Sequence, residues 1–384
     1  MDHETFTLLR DTVRRFVQER LVPNEDRLEA EDAVPEEIIA EMRELGLFGL
    51  SIPEEYGGLG LSMTEEAEVI YELGRTAFAY RSVIGTTVGI GSQGIVMDGT
   101  EAQKREWLPK LASGELVSSF ALTEPGAGSD AASIQTKATK DGGVYRLNGT
   151  KRFITNAPRA GVFTVMARSE PDVRGAGGIS AFIVPAGTKG LSLGKPDKKM
   201  GQRGTVTCDV IFDDAVVPAE NIIGGVPGRG FKTAMKVLDR GRIHMSALAA
   251  GMAQRLLQDS VAYAAERKQF GQAIGNFQLI QGMLADSRVD AYASKVMVAD
   301  VARRFDAGEK LSADVACTKY FATEAVGRVA DRAVQIHGGA GYMAEYKVER
   351  FYRDVRLLRI YEGTSQIQQI IIARDLLRRA GLNV

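Results

Sequence analysis

Three observations predict an α+β multidomain chain in which helices precede a small β-domain and a helical bundle follows it. Apolar residues repeat at helical spacing up to about residue 113. Short runs punctuated by Gly, Asp, Asn and Pro then occupy the stretch from Val117 to Phe212. Long periodic segments return from Phe231 onward. Apolar positions three and four apart mark a helix with one buried stripe, whereas short β-rich runs between turn residues mark strands. The expected units are a helical domain over 1–115, a β-barrel or sandwich over 116–224 and a four-helix bundle over 225–384.

Leu8, Leu9, Val13, Phe16, Val17 and Leu21 form the first stripe, which Pro23 stops. A second helix starts near Pro35 and carries Ile38, Ile39, Met42, Leu45 and Leu47. A glycine-punctuated loop over 53–60 follows, helices resume at Ser62, and 102–111 closes the block with Trp107 on its apolar face. Strands are expected at 117–122, 133–138, 144–147, 152–155, 162–167, 179–184 and 206–212. Pro218 and the glycine-rich segment 224–230 end the β-unit. The bundle helices are expected at about 231–267, 277–307, 312–336 and 364–380.

Composition excludes several classes. Forty-eight Lys+Arg face 49 Asp+Glu, a net charge of −1, so no overall field draws the chain to nucleic acid or an anionic membrane. Cys208 and Cys317 are the only cysteines, and His3, His244 and His337 the only histidines. That gives neither a disulfide framework nor a metal-ligand spacing. No apolar run approaches the ~18 residues of a membrane span. The opening Met1-Asp2-His3-Glu4 lacks a basic start and apolar run, so a bacterial cytoplasm is the expected location.

Several motifs carry candidate chemistry. In Ile360-Tyr361-Glu362-Gly363-Thr364-Ser365-Gln366, an apolar approach through Leu357 and Leu358 leads to one carboxylate. Gly363 ends that element, and Thr364 or Ser365 can cap the helix bearing Ile367, Ile370, Ile371, Leu376 and Leu377. Burial disfavours the charged form and raises a carboxylate pKa, which suits a base for a weakly acidic C–H. An exposed loop glutamate or capping partner would show the same local pattern. Phe120 lies on the strand that runs into Leu122-Thr123-Glu124-Pro125-Gly126-Ala127-Gly128-Ser129-Asp130, a loop suited to an anion or an electron-rich ring, or to an ordinary turn. Ser129 lacks the setting of a nucleophile elbow. In Lys151-Arg152-Phe153-Ile154-Thr155-Asn156-Ala157, the phenyl ring is either core or a wall against a flat cofactor, with Thr155 at its edge.

Arg242, near the start of a long helix, suits a phosphate or carboxylate, or a structural pair with Asp239. Arg267 and Lys268 sit at a helix C-terminus, which favours cations in any case. His337 precedes Gly338 and Gly339, whose bare backbone admits a ligand; a satisfied helix-end histidine is the alternative to a catalytic one. Gly89-Ile90-Gly91-Ser92-Gln93-Gly94 fits G-x-G-x-x-G, but a charged helix follows rather than a βαβ unit. Close packing of helices is the better reading there.

Together, 122–130, Arg267-Lys268-Gln269-Phe270-Gly271, Gln335-Ile336-His337-Gly338-Gly339 and 361–368 resemble, in this order, the acyl-CoA dehydrogenase family over essentially the whole chain. The resemblance implies FAD held non-covalently between the β-domain and the C-terminal helices. It places Phe120, Leu122, Thr123, Gly128, Ser129, Phe153, Ile154, Thr155, Thr364 and Gln366 at the flavin. It has Arg267, Gln269, Gln335, Ile336, Gly338 and Gly339 reach the FAD of a neighbouring subunit, so a homo-oligomer, usually a tetramer, is implied. Ser129, Asp239, Arg242, Tyr361 and Gly363 fall near the acyl-CoA substrate. Glu362 matches the base that takes the α-proton while the β-hydrogen leaves as hydride to the flavin. The implied product is a trans-2-enoyl-CoA, and the implied electron acceptor an electron-transfer flavoprotein. Some branches place the base near the start of the long helix, where this chain has Gly241. Phe120 stands where many members have tyrosine, and Phe153 where many have tryptophan. An oxidase using O2 and a catalytically silent flavin- or partner-binding relative are the alternatives. The former usually carries an extra C-terminal domain; the latter usually loses the base or gains basic patches. No motif fixes the acyl group.

Overall fold

The computed structural model describes residues 1–383. The helical unit comprises α1 (His3–Phe16), α2 (Glu25–Glu31), α3 (Glu36–Glu44), α4 (Met63–Leu73), α5 (Phe78–Gly85), α6 (Gln93–Asp98) and α7 (Glu101–Ala112). Its starts are chemically marked. Asp2 accepts from the Thr5 N–H at the head of α1, and reciprocal capping boxes open α4 (Ser62 with Glu65) and α7 (Thr100 with Gln103). The glycine-rich 89–94 segment is helical and packs closely, as expected, but against a strand. A Cβ on Gly91 would lie 2.3 Å from the Ser118 Oγ.

The middle unit is one curled sheet of β1 (Val117–Ala121), β2 (Lys137–Asp141), β3 (Val144–Thr155), β4 (Ala160–Arg168), β5 (Ile179–Pro185), β6 (Leu191–Leu193) and β7 (Thr207–Pro218). The order is β1-β4-β2-β3-β7-β6, with β5 paired to β4. β1 runs parallel to β4, and β3 and β7 are long antiparallel partners. Cys208, Val210, Phe212, Ala215 and Val217 of β7 face a core shared with Tyr145, Leu147, Phe163 and Phe182. Three strand expectations differ from the fold. The runs 144–147 and 152–155 are one strand, because a bulge near Gly149, at φ 152°, carries the chain through rather than ending it. Residues 131–133 form a short 3₁₀ turn and β2 begins only at Lys137. β6 is a short, largely exposed edge with no alternation to announce it.

Beyond Gly224 to Gly230 come α8 (Gly230–Glu266), a tight hairpin of β8 (Lys268–Gln269) and β9 (Gln272–Ala273), α9 (Gln278–Asp306), α10 (Ser312–His337), α11 (Val348–Val355) and α12 (Ser365–Arg379). α8 joins the two helical units. Its Ile243, Met245, Leu248, Met252 and Leu256 share one core with Ile70 and Leu73 of α4 and Val326 and Val329 of α10. Contact with α4 is backbone to backbone: a Cβ on Gly251 would lie 2.1 Å from the Tyr71 carbonyl oxygen, and one on Gly74 2.5 Å from that of Leu248. Among the described residues no helix is long and apolar enough to cross a membrane, and no group of three or more His, Cys, Asp and Glu is placed to hold a metal.

A buried charge network crosses the same seam. Glu66 of α4 accepts from the Arg240 guanidinium and, at 2.7 Å, from His244 Nε2, all three side chains being buried. Arg81 of α5 lies 3.2 Å from His244 Nδ1. Burial pulls the imidazole below its usual range, so His244 is neutral, donating from Nε2 to Glu66 and accepting at Nδ1 from Arg81. Burial pushes Glu66 up, but Arg240 and His244 outweigh it and hold the carboxyl below the usual range. Removing one member of a buried ionic set leaves the others uncompensated. Glu66→Ala is expected to destabilise the chain by about 3–5 kcal/mol, read as a lowered midpoint in urea denaturation; a midpoint equal to that of the unmodified protein would contradict the role of this seam.

Candidate active site

A cavity of about 460 Å³ lies where β1, β3, α5, α8 and the segment ahead of α12 meet. Phe120, Leu122, Thr123, Gly128 and Ser129 reach it from the end of β1 and the loop beyond. Phe153, Ile154 and Thr155 line it from β3, Arg242 from α8, and Tyr361, Glu362 and Gly363 from the turn before α12.

The loop after β1 is braced from behind. Lys151, fully buried, donates to the Leu122 carbonyl at 3.1 Å and to Glu124 at 2.7 Å, while Glu124 also accepts from the Thr136 N–H and hydroxyl. Burial pulls Lys151 down to about 8, opposed by Glu124. Phe153 owes its position to the ladder. The β3–β7 register breaks between Lys151 and Ile154, Phe153 adopts φ 59°, and its ring is turned out to 61% exposure with the Arg152 guanidinium over one face. Bulges re-aim side chains in this way.

Glu362 also occupies left-handed backbone, at φ 52°, followed by Gly363 at φ 88°. A non-glycine residue there is strained and persists only where its surroundings over-determine it. Arg242 Nε donates to the Glu362 carbonyl at 3.2 Å, and Gln368 Nε2 donates to the carbonyls of Glu362 and Gly363. Thr364 caps α12 by accepting from the Ile367 N–H. The side chain thus enters the cavity with Oε2 buried and without a hydrogen-bond partner. Burial pushes the carboxyl above the usual range, opposed by the positive charges of Arg81, Lys319 and Arg242. That oxygen lies where a side chain at 241 would be: a Cβ there would be 2.5 Å from Glu362 Oε2 and 2.9 Å from Ile90.

Other expected residues divide. Asp239 pairs with Arg242 Nη1 at 2.6 Å and so orients the arginine rather than lining the cavity. Thr364 acts as a cap, and Gln366 is exposed on α12. A second cavity, of about 960 Å³, takes Arg267, Gln269, Ile336, Gly338 and Gly339; Gln335 lies exposed on α10 beside them. Phe270 is 94% exposed at its rim. His337 belongs there as a satisfied helix-end residue: Nδ1 meets the Ala333 carbonyl at 2.8 Å and the ring stacks on Tyr263 at 4.2 Å. Three residues of the first cavity's surroundings escaped the sequence reading. Arg81 and Gln202 line it, and Lys319 of α10 donates to the Gly363 carbonyl at 2.8 Å. For two of them a signal existed: a lone charge inside a mostly apolar helical stretch, Phe78 to Gly85 for Arg81 and Val315 to Thr323 for Lys319.

The walls suit a flat, polar-edged ring. One aromatic side chain is turned outward, a bare Gly126–Gly128 backbone offers open approach, and the Thr123, Ser129 and Thr155 hydroxyls make no hydrogen bond within the described chain. A carboxylate with one buried oxygen free of any hydrogen-bond partner faces the same space.

Comparison with known proteins agrees with this fold. Residues 3–115, 119–215 and 228–377 match the N-terminal, middle and C-terminal domain models of acyl-CoA dehydrogenase. A 3-(aryl)acrylate reductase of Clostridium sporogenes is 40% identical over 98% of this chain and 99% of its own. A probable acyl-CoA dehydrogenase of Bacillus subtilis is 42% identical over 97% of each. Butyryl-CoA dehydrogenase of Megasphaera elsdenii superposes with TM-score 0.94 at 37% identity, covering 98% of this chain and 100% of that one. A glutaryl-coenzyme A dehydrogenase bound to glutaryl-CoA gives 0.93 at 36%, covering 98% and 96%. An acyl-CoA dehydrogenase of Bacillus anthracis complexed with FAD gives 0.92 at 36%, covering 99% and 68%.

If Gly241 is bare because Glu362 needs the room, the two positions are energetically coupled. Gly241→Ala should cost about 1–3 kcal/mol through overpacking, and most of that cost should vanish in a Glu362→Ala background. A double-mutant cycle in urea tests this; additive losses would show the two side chains to be independent.

Proposed function

The chain belongs to the acyl-CoA dehydrogenase family of FAD-dependent oxidoreductases, and on that premise we propose that it removes the α and β hydrogens of an acyl-CoA thioester, with Glu362 as the base. The observation that carries this reading is the Glu362 carboxylate, its Oε2 buried and unpartnered at a cavity wall. An ionised oxygen without a donor keeps its lone pairs for an incoming C–H, and burial raises its proton affinity toward what α-proton abstraction needs. FAD, when bound, supplies the acceptor for the β-hydrogen and its electron pair.

The chain's own groups then divide the work. Phe153 offers the ring face, and Thr123, Ser129 and Thr155 the polar edge, for the flavin. Phe120 and Leu122 exclude water beside it. The Lys151–Glu124 pair keeps the 122–129 loop in place. Arg242, tied to Asp239, fixes the Glu362 backbone and presents a cation at the thioester side of the cavity. The second cavity, with Arg267, Gln269, Gly338 and Gly339, takes the remainder of an FAD that belongs to a neighbouring copy, which makes a homo-oligomer, a tetramer by family habit, part of the proposal. Electrons leave to an electron-transfer flavoprotein, the setting is a bacterial cytoplasm, and the pathway is breakdown of an acyl-CoA by β-oxidation chemistry. The same residues serve the reverse reduction by microscopic reversibility.

Glu362→Gln is expected to lower the rate of anaerobic flavin bleaching by acyl-CoA about 10²–10⁴-fold while FAD remains bound. The wild-type rate should fall as pH drops through the Glu362 pKa, which lies above the usual carboxylate range, because only the ionised form accepts the α-proton. Bleaching of the Gln variant at the wild-type rate would remove Glu362 from the mechanism.

Arg81 bears on the acyl group. Its side chain lines the cavity, its Nε is buried without a partner, and the Glu66 carboxylate behind it is engaged by Arg240 and His244. A Cβ on Gly85 would lie 2.6 Å from Arg81 Nη1, so the bare position makes room for the guanidinium. A cation so placed selects an acyl chain that ends in an anionic or strongly accepting group, as in the glutaryl-CoA bound by one structural relative. Across a thioester panel, wild type should favour carboxyl-terminated over unsubstituted acyl groups of equal length, and Arg81→Met should reverse that order. An unsubstituted chain preferred by both proteins would refute the assignment.

A further inference from the structure

The Glu362–Gly363 turn is held by three side chains, and one of them is a cation with no other hydrogen bond among the described residues. Arg242 also pairs with Asp239, and Gln368 is a buried amide. Lys319 is fully buried on α10, and its ammonium makes a single hydrogen bond among the described residues, to the Gly363 carbonyl at 2.8 Å. No carboxylate lies within ion-pair distance of it there. Glu324, on the next turn of the same helix, is engaged by Arg359 at 3.2 Å and by the Ser365 hydroxyl at 2.6 Å. A buried ammonium with one neutral acceptor is expensive to maintain. Hydrophobic residues on the same stripe, Val315, Ala322 and Val326, show what the position would hold if packing were its only duty.

We propose that Lys319 is a positioning residue for the reaction, holding the left-handed Glu362–Gly363 turn through the Gly363 carbonyl and facing the base with a positive charge. The proposal rests on Glu362 being the base. Its hydrogen bond secures the backbone one residue beyond the strained one, and its charge opposes the cost of keeping the carboxylate ionised in a dry cavity. The electrostatic setting supports this: burial pulls Lys319 down to about 8, opposed first by Glu362, and Lys319 stands among the groups that oppose the rise at Glu362. The groups facing the carboxylate are Arg81 from α5, Arg242 with its partner Asp239 from α8, Lys319 from α10 and Tyr361 beside it in the chain. Arg81 and Arg242 make further hydrogen bonds, with His244 and Asp239, whereas the Lys319 ammonium makes none beyond the Gly363 carbonyl among the described residues, so its removal bears on the turn and the base it carries.

The test titrates Glu362 itself. The FAD-bound protein is followed by infrared difference spectroscopy against pH, the Glu362 carboxyl band being identified by its loss in Glu362→Gln. In Lys319→Met the Glu362 transition should move to higher pH, and Lys319→Arg should return it toward wild type. kcat/KM should follow, with a loss about tenfold greater at the acidic end than on the plateau, the factor carried by one pH unit. If Lys319→Met fails to fold, Lys319→Gln removes the charge while keeping a neutral donor, and the same upward movement is expected. A Glu362 transition at the wild-type pH in the neutral variants, with at most a uniform loss of rate, overturns the proposal. The infrared titration needs no turnover, so failure of every thioester to bleach the flavin would sink the reading of Glu362 as base and remain distinct from an unmoved transition.

Discussion

Withdrawing one carboxylate from water is the constraint to which the rest of the site answers. Glu362 reaches the cavity from strained backbone, with an oxygen that nothing in the chain satisfies. Neither condition survives unaided. The strain is held by carbonyl contacts from Arg242, Lys319 and Gln368, which come from three different helices. The charge is balanced by cations set around it rather than by a direct ion pair, which would occupy the lone pairs that abstraction requires. Distributed compensation keeps the carboxylate both ionisable and idle.

That arrangement explains why α8 is so long and so buried. A single rod presents Arg240 and His244 to the network with Glu66, Gly241 to the carboxylate, and Arg242 to the turn that carries it. Consecutive residues on a helix point in different directions, so three neighbours serve three surroundings at once. The β-domain supplies a stiff opposite wall, and two of its irregular features, the bulge at Phe153 and the braced loop after β1, fall on that wall.

Much of this was legible in the residues because long stripes speak clearly. The helix expected over 277–307 is Gln278–Asp306, and the one over 364–380 is Ser365–Arg379. Glu362, Phe153 and the 122–129 loop could be singled out because each sits at a junction where a periodic run stops, and the structure brings them to one cavity. Arg81 and Lys319 were missed for the opposite reason. Each lies inside a regular helix, where a single charge reads as a solvated position unless one knows which way the stripe faces. The strand boundaries suffered because a bulge at Gly149 looks like a turn in one dimension. The positive φ of Glu362 left no mark at all, since glutamate is not a residue that advertises left-handed backbone.

The crowding between position 241 and Glu362 reaches beyond this one chain. The family resemblance puts the acid of some branches near the start of the long helix, where this chain has Gly241. With 2.5 Å between a Cβ at 241 and the carboxylate oxygen, a side chain there would push the Glu362 carboxylate from the place it now holds.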